Sequence, residues 1–312
     1  MNYTRRDMIQ MGVGGSAALL TGWRPVWAQA TRPADVSSQR KRPIPSTGEN
    51  IPCMGLGTSR TFHADTSDEQ RAPLKDVLRL FHEMGGTVLD TAPSYGNAEI
   101  VSGDLMRDLG IRSDLFVATK VRVRGQAEGV EQMQASLRRL QTDRVDLMQI
   151  HNLMDIQTQL PTVRKWKDQG RVRYVGMTTS SRRQYEDFEH WMKSETLDFV
   201  QLDYSIGQRE AAERLLPLAE ERGMAVMVNR PFMRGRLFQK TQGEVLPEWC
   251  AEFDCASWGQ FFLKYVLSHP AVTVVIPATS KPDHLRDNMA AGLGRLPDKA
   301  MRDRMEGLID AM

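Results

Sequence analysis

Four titratable residues stand where short apolar runs give way to loops. Asp90 lies near the end of Thr87-Val88-Leu89-Asp90-Thr91-Ala92, and Tyr95 follows in Pro93-Ser94-Tyr95-Gly96. Lys120 closes Phe116-Val117-Ala118-Thr119-Lys120, and His151 closes Asp146-Leu147-Met148-Gln149-Ile150-His151. Taken singly each has an ordinary reading: a solvated charge, a structural imidazole, a packed ring. Taken together, on consecutive strand ends, they can move a proton. A phenol with a solution pKa of about 10 is a poor acid at neutral pH. A neighbouring lysine cation stabilises the phenolate and is expected to lower that pKa. A carboxylate beside the lysine holds its charge in place, and the histidine orients a carbonyl by hydrogen bonding. Such a set suits protonation of a carbonyl oxygen while hydride arrives at carbon. Metal chemistry is not indicated: Cys53, Cys250 and Cys255 form no CxxC, and no His/Cys spacing suits zinc.

Catalytic groups on consecutive strand ends need a barrel or an open parallel sheet to position them. Apolar runs occur at residues 54–59, 87–92, 115–121, 145–151, 172–179, 199–205, 224–231 and 272–279. Each has the length and the Val, Ile, Leu and Met content of a strand buried on both faces. Between them lie amphipathic stretches. Leu74, Val77, Leu78 and Phe81 fall at i, i+3, i+4, i+7, as do Val130, Met133 and Leu137, and Ala212, Leu215, Leu216 and Ala219 in part. Ser67 with Gln70 reads as a capping box for the first helix, Gly85-Gly86 as its end, and Pro73 as an obstacle that shifts its start. This alternation predicts a (β/α)8 barrel over the mature chain. The competing open doubly wound sheet would want G-x-G-x-x-G after its first strand, but Gly55-Leu56-Gly57-Thr58 lacks the third glycine. A turn at Thr47-Gly48-Glu49-Asn50 predicts a short hairpin ahead of the barrel.

Leu89-Asp90-Thr91-Ala92-Pro93-Ser94-Tyr95-Gly96 resembles the aldo-keto reductase signature, including the Asp-to-Tyr spacing. Gly55-Leu56-Gly57-Thr58 resembles that family's first barrel strand, and the hairpin resembles its barrel-bottom cap. The likeness runs from about Arg42 to Asn288. It implies Tyr95 as general acid, Lys120 and Asp90 as its tuning pair and His151 as the orienting residue. It also implies a nicotinamide cofactor, NADPH with NADH as the second choice. The cofactor would meet Gly57, Thr58, Thr178, Gln201, Arg230, Phe232, Thr279, Ser280, Lys281, Asp287 and Asn288. The family's Ser-Asn pair after the fifth strand is here Thr178-Thr179, so the second position lacks an amide. The stacking tyrosine after the seventh strand is here Asn229, leaving Phe232 or a tryptophan to cover the ring. Arg230 replaces a small serine and can meet a phosphate. The basic residue after Pro277 is here Ala278, which leaves Ser280, Lys281 and Arg286 for a 2′-phosphate.

The chain has 312 residues and a formal net charge of +2. Arg5, Arg6 and Arg24 against Asp7 supply that excess, so bulk charge points to neither nucleic acid nor a membrane surface. Thr4-Arg5-Arg6-Asp7-Met8-Ile9, a short apolar run and Ala28-Gln29-Ala30 resemble a twin-arginine signal peptide over residues 1–30, with an ordinary secretory signal as the alternative. The run is too short for a stable membrane span. The expectations are export by the twin-arginine machinery, a periplasmic location and a barrel over residues 31–312. In that compartment Cys250 and Cys255 admit either a local disulfide or two free thiols. Residues 234–258 read as a lid or as a helix-packing insertion. The short C-terminus predicts an open mouth. The activity expected is reduction of an aldehyde or ketone, or the reverse. A barrel that binds cofactor or protein without turnover, and a non-redox proton-transfer enzyme, are the alternatives.

Overall fold

In the eight strands of the barrel, alternate residues face opposite sides. In β5 (Phe116–Val121) this puts Phe116, Ala118 and Lys120 inside and Val117 and Val121 outside, against the helices. The remaining barrel strands are β3 (Leu56–Gly57), β4 (Val88–Asp90), β6 (Val145–Ile150), β7 (Val172–Thr178), β8 (Phe199–Asp203), β9 (Ala225–Asn229) and β10 (Val272–Val275). All pair in parallel, in sequence order. The first and last meet through bridges Met54 to Val275 and Gly57 to Ala278, which close the barrel. Every strand falls inside the apolar run that predicted it, shortened at its ends. The structure, a computed structural model, describes residues 39–65 and 67–312. The export signal read at residues 1–30 lies outside the described residues.

The crossovers are α1 (Asp68–Glu83), α2 (Ala98–Leu109), α3 (Gln126–Arg139), α4 (Ile156–Asp168), α5 (Tyr185–Ser194) and α6 (Ala211–Glu221). Between β9 and β10 come a short α7 (Arg236–Lys240), a 3-10 turn and α8 (Trp258–Leu267). The chain ends with α9 (Pro282–Ala290) and α10 (Lys299–Ala311). The first helix tests the local signals. Its C-terminus closes as read: Gly85 has φ 83°, and Gly85 N and Gly86 N donate to the His82 and Phe81 carbonyls at 3.0 and 2.8 Å. A side chain on Gly86 would collide with the Phe81 ring. Its N-terminus corrects the reading. Ser67 is the N-cap but makes no side-chain cap bond, and Gln70 Nε2 reaches Asp65 Oδ2 at 3.0 Å instead. Asp65 Oδ1 accepts from Ser67 N at 2.8 Å, so the aspartate upstream occupies the donor a capping box needs. Pro73 did not move the start; it sits inside α1.

A hairpin of β1 (Lys41–Pro43) and β2 (Asn50–Pro52) lies across the N-terminal end of the barrel. Ile44 and Ile51 join the inward-facing Phe116, Tyr174 and Phe199 in one buried cluster, so the bottom is plugged by apolar packing. Residues 234–258 pack as an insertion. Trp249 meets Phe253 and Phe261, and Trp258 meets Phe261 and Phe262, with ring centroids 5.1–6.2 Å apart. Cys250 and Cys255 are buried free thiols.

Candidate active site

From β4 to β9 the inward stripe of the strand turns polar at its C-terminal end, and the predicted tetrad gathers there. Lys120 Nζ lies 2.9 and 2.7 Å from the two Asp90 oxygens and donates to the Thr91 carbonyl at 2.8 Å. Both side chains are almost wholly buried. Lys120 Nζ also sits 4.9 Å from the centre of the Tyr95 ring. The Tyr95 and His151 rings meet edge to face at 5.9 Å. A buried ion pair of this kind gives little net stability, because desolvation cancels most of the attraction. Its value is positional: it fixes a cation beneath the phenol.

The electrostatics differ from the expectation in one respect. The Tyr95 pKa is raised, because burial outweighs everything else; Lys120 pulls it down and Asp90 pushes it up. The sequence argument counted the cation and omitted the loss of water. The phenol therefore rests protonated, as an acid must before it donates. Burial also works against the Lys120 ammonium, yet Asp90 and Tyr95 outweigh it and the lysine pKa is raised. Lys120 is then a fixed positive charge. Burial, followed by Lys120 and Arg122, lowers His151 to about 3, so its imidazole is neutral at physiological pH. A neutral imidazole can donate one hydrogen bond to a carbonyl without competing as an acid.

Two glutamines complete this layer. Gln201 Nε2 donates to Asp90 Oδ1 at 2.9 Å, and Gln149 Nε2 reaches the same oxygen at 3.3 Å. Sequence reasoning placed Gln201 at the cofactor, and here its amide is turned to Asp90. Gln149 was missed, although the period of β6 signals it, two residues before His151 on the inward stripe. Asn229 Nδ2 donates to the Thr179 carbonyl at 3.1 Å and approaches Gln201 Oε1 at 3.5 Å. Thr178 Oγ1 accepts from Asn152 N at 3.2 Å. Asn152, also missed, and Asn229 each leave a buried side-chain oxygen without a donor. Buried acceptors are seldom left unpaired, and such orphans mark places where a ligand donor fits.

The other candidate cofactor residues spread around the rim. Gly57 and Thr58 sit at the seam: a side chain on Gly57 would come within 2.8 Å of the Ile276 carbonyl, and Thr58 Oγ1 bonds the Asp90 carbonyl at 3.0 Å. Arg230 donates to the Ser180 carbonyl. Phe232 packs against Phe238 and Phe262, with centroids 4.9 and 6.4 Å away. Thr279 Oγ1 accepts from Lys281 N at 3.1 Å, a turn that sets up α9; Ser280 is half-buried there and Lys281 is exposed. Asp287 is engaged by Ser257 Oγ at 2.7 Å and Gln260 Nε2 at 2.8 Å, and Asn288 is buried beside it. Non-glycine residues with left-handed backbone gather at this end: Arg60, Asn152, Leu153, Asp155, Arg230, Met233 and Arg234. Gln141 and Asp254 are the exceptions. Strain of this sort costs about 1–3 kcal/mol per residue and persists where the surroundings enforce it.

Comparison with known proteins agrees with this geometry. The profile described as "Aldo/keto reductase family" matches residues 53–308. Aldo-keto reductase YhdN of Bacillus subtilis is 29% identical over 219 residues, which span 64% of this chain and 64% of that protein. The NADH-specific methylglyoxal reductase of Escherichia coli is 24% identical over 86% of this chain and 99% of its own. Among solved structures, the holo form of aldo-keto reductase AKR11C1 from Bacillus halodurans superposes with a TM-score of 0.70 at 26% identity, covering 86% of this chain and 96% of that one. With the matched profile spanning most of the sequence, the chain belongs to the aldo/keto reductase family of nicotinamide-dependent oxidoreductases.

Proposed function

We propose that this chain reduces an aldehyde or ketone to an alcohol, or runs the reverse, with Tyr95 as the proton donor. The observation that carries the proposal is the buried Asp90–Lys120 pair lying under the Tyr95 ring beside a neutral His151. The nicotinamide, when bound, supplies the hydride. The residues present suit it. The orphaned oxygens of Asn152 and Asn229 are acceptors that a carboxamide N–H would satisfy. Lys281 and Arg286 stand exposed at α9, within reach of a phosphate. NADPH is the cofactor proposed first, resting on those two cations with Ser280.

The protein's own part is to hold and move one proton. His151 donates to the substrate oxygen and aims it at Tyr95. Tyr95 passes its phenolic proton to that oxygen as negative charge develops there. Lys120 stabilises the phenolate left behind, and Asp90, held by Gln149 and Gln201, keeps the lysine in place. In the reverse direction the phenolate takes the proton back. A second reading, a barrel that binds without turnover, is favoured by Asn229 in the stacking position and by Phe232 being committed to its aromatic neighbours.

Titration of the chain starting at Thr31 with NADPH and NADH, read by tryptophan quenching, tests the cofactor. A carbonyl screen with wild type and Tyr95→Phe tests the chemistry. Binding with turnover that falls about a hundred- to ten-thousandfold in Tyr95→Phe is expected. Binding without turnover favours the second reading, and turnover without cofactor would mean non-redox proton transfer. Export to the periplasm by the twin-arginine machinery is part of the proposal and rests on Arg5-Arg6 and Ala28-Gln29-Ala30. Replacing both arginines by lysine should hold the chain in the cytoplasm on fractionation.

A further inference from the structure

The 3-10 turn ahead of α8, Glu248–Phe253, ends in a backbone closure that brings two cysteines together. Asp254 takes left-handed backbone at φ 53°. Asp254 N donates to the Ala251 carbonyl at 3.2 Å, and Cys255 N donates to the Cys250 carbonyl at 3.1 Å. These are the two bonds of a Schellman turn, which sets the side chain before the turn against the side chain just past the left-handed residue. Here those side chains are Cys250 and Cys255, and their sulfurs are in hydrogen-bond contact. Both are buried, Cys250 wholly and Cys255 to all but 6%. The two thiols are not equivalent. The bond between them and burial raise the Cys250 pKa, against Arg304. The same bond is the largest influence lowering Cys255; Ser257 N and the Lys264 ammonium act with it, burial and Asp287 against it. Lys264 is fully buried, and its ammonium donates to the Leu293 and Arg295 carbonyls at 2.6 and 2.9 Å. The nearby Asp254 carboxylate is held by Arg295 at 2.7 Å. Cys53 is the contrast: burial pushes its thiol up to about 11.

We propose that Cys250 and Cys255 form a reversible redox site, which hydrogen peroxide closes into a disulfide in the folded protein. Cys255 is the attacking sulfur, because a thiolate is the nucleophile and a neighbouring cation favours it. Its S–O bond forms as the peroxide O–O bond breaks, and the second oxygen leaves as water with the Cys255 proton. The Cys250 sulfur then displaces the hydroxyl from Cys255: the S–S bond forms, the S–O bond breaks, and a second water leaves with the Cys250 proton. The two sulfurs lose two electrons and the two peroxide oxygens gain them. A reducing dithiol returns both thiols by exchange. Burial keeps a protein disulfide carrier from either sulfur and leaves the site to a small oxidant entering at Cys255. The proposal is independent of the reductase reading.

The test treats the purified, reduced protein with hydrogen peroxide, blocks the remaining thiols with iodoacetamide and maps tryptic peptides by mass spectrometry without reduction. Both cysteines fall in the peptide 241–264, which no other lysine or arginine interrupts. That peptide should be lighter by two hydrogens and carry no alkyl group, while Cys53 is alkylated. Dithiothreitol should restore both thiols. In Cys250→Ser, a dimedone probe should trap a sulfenic acid on Cys255. In Cys255→Ser, Cys250 should react about tenfold more slowly or less. Alkylation of Cys250 and Cys255 to the same extent as Cys53 overturns the proposal. So does a disulfide that appears only after denaturant is added, or oxidation of Cys255 past the sulfenic acid with Cys250 still reduced. Faster trapping at Cys250 than at Cys255 overturns the assignment of the attacking sulfur.

Discussion

At the bottom of the barrel, Phe116, Tyr174 and Phe199 pack against one another with centroids 5.6–5.7 Å apart, under a hairpin that contributes Ile44 and Ile51. Arg173 bridges Asp146 and Glu49 at that end, and Tyr174 Oη donates to Glu49 at 2.5 Å. A cleft of about 940 Å³ opens there, larger than the roughly 90 Å³ recess that Arg230 and Arg234 line at the mouth. Size does not identify the site. The mouth holds the buried proton donor Tyr95, the orphaned side-chain oxygens of Gln149, Asn152 and Asn229, and most of the non-glycine residues with left-handed backbone. The same strands build both ends. One end is settled by packing and the other is left with unmet electrostatic demands, as a ligand site must be.

Substitutions at the two ends should therefore fail differently. The largest effect belongs to Lys120→Met. It removes the cation under Tyr95 and strands Asp90 in the interior, so kcat/KM should drop about a hundred- to ten-thousandfold. Chemical denaturation should also register a loss of about 3–5 kcal/mol, the cost of half a buried ion pair. If stability were unchanged, the pair would not be as dry as the geometry requires.

Phe199→Ala probes the bottom. A fully buried ring is lost from the plug, at about 3–5 kcal/mol. The folded fraction should keep kcat/KM within about twofold, because Gln201 above it retains its own partners. A large activity loss in correctly folded protein would break the division between the ends.

A smaller, pH-dependent effect attaches to His151. Its folded pKa of about 3 lies below the unfolded value of about 6.5, so between those pH values the unfolded chain binds more protons. The stability this group contributes is whole above pH ~6.5 and drains away as pH falls toward 3, at up to about 1.4 kcal/mol per pH unit. His151→Gln should flatten that slope in denaturation series. Some slope should remain, because burial also lowers His269, to about 4. The pH profile of kcat should show no inflection near pH ~6.5 in wild type, since His151 stays neutral there.

The mildest test is Ser257→Ala. Ser257 Oγ caps α8, accepting from Gln260 N at 3.0 Å, and donates to Asp287. Its loss should cost about 1 kcal/mol. It should also free Asp287, so a change in cofactor affinity with little change in kcat would link this cap to the rim.

Much of this was legible in the linear chain. Eight apolar runs separated by amphipathic stretches could bury their faces in few ways, and the strand-end positions of Asp90, Lys120 and His151 followed from the period of two. The N-cap at Ser67 was legible as a position and wrong as a bond, because Asp65 competes for the same donors and nothing local ranks them. The direction of the Tyr95 shift needed the tertiary structure, since burial is a sum over neighbours distant in sequence. The same holds for Gln201, whose amide turned to Asp90 across the barrel, and for Phe232, drawn into a cluster with Phe238 and Phe262. Periodicity and residue type determined which side chains reach the mouth. Which of them meet was decided only when the barrel closed and brought those strand ends together.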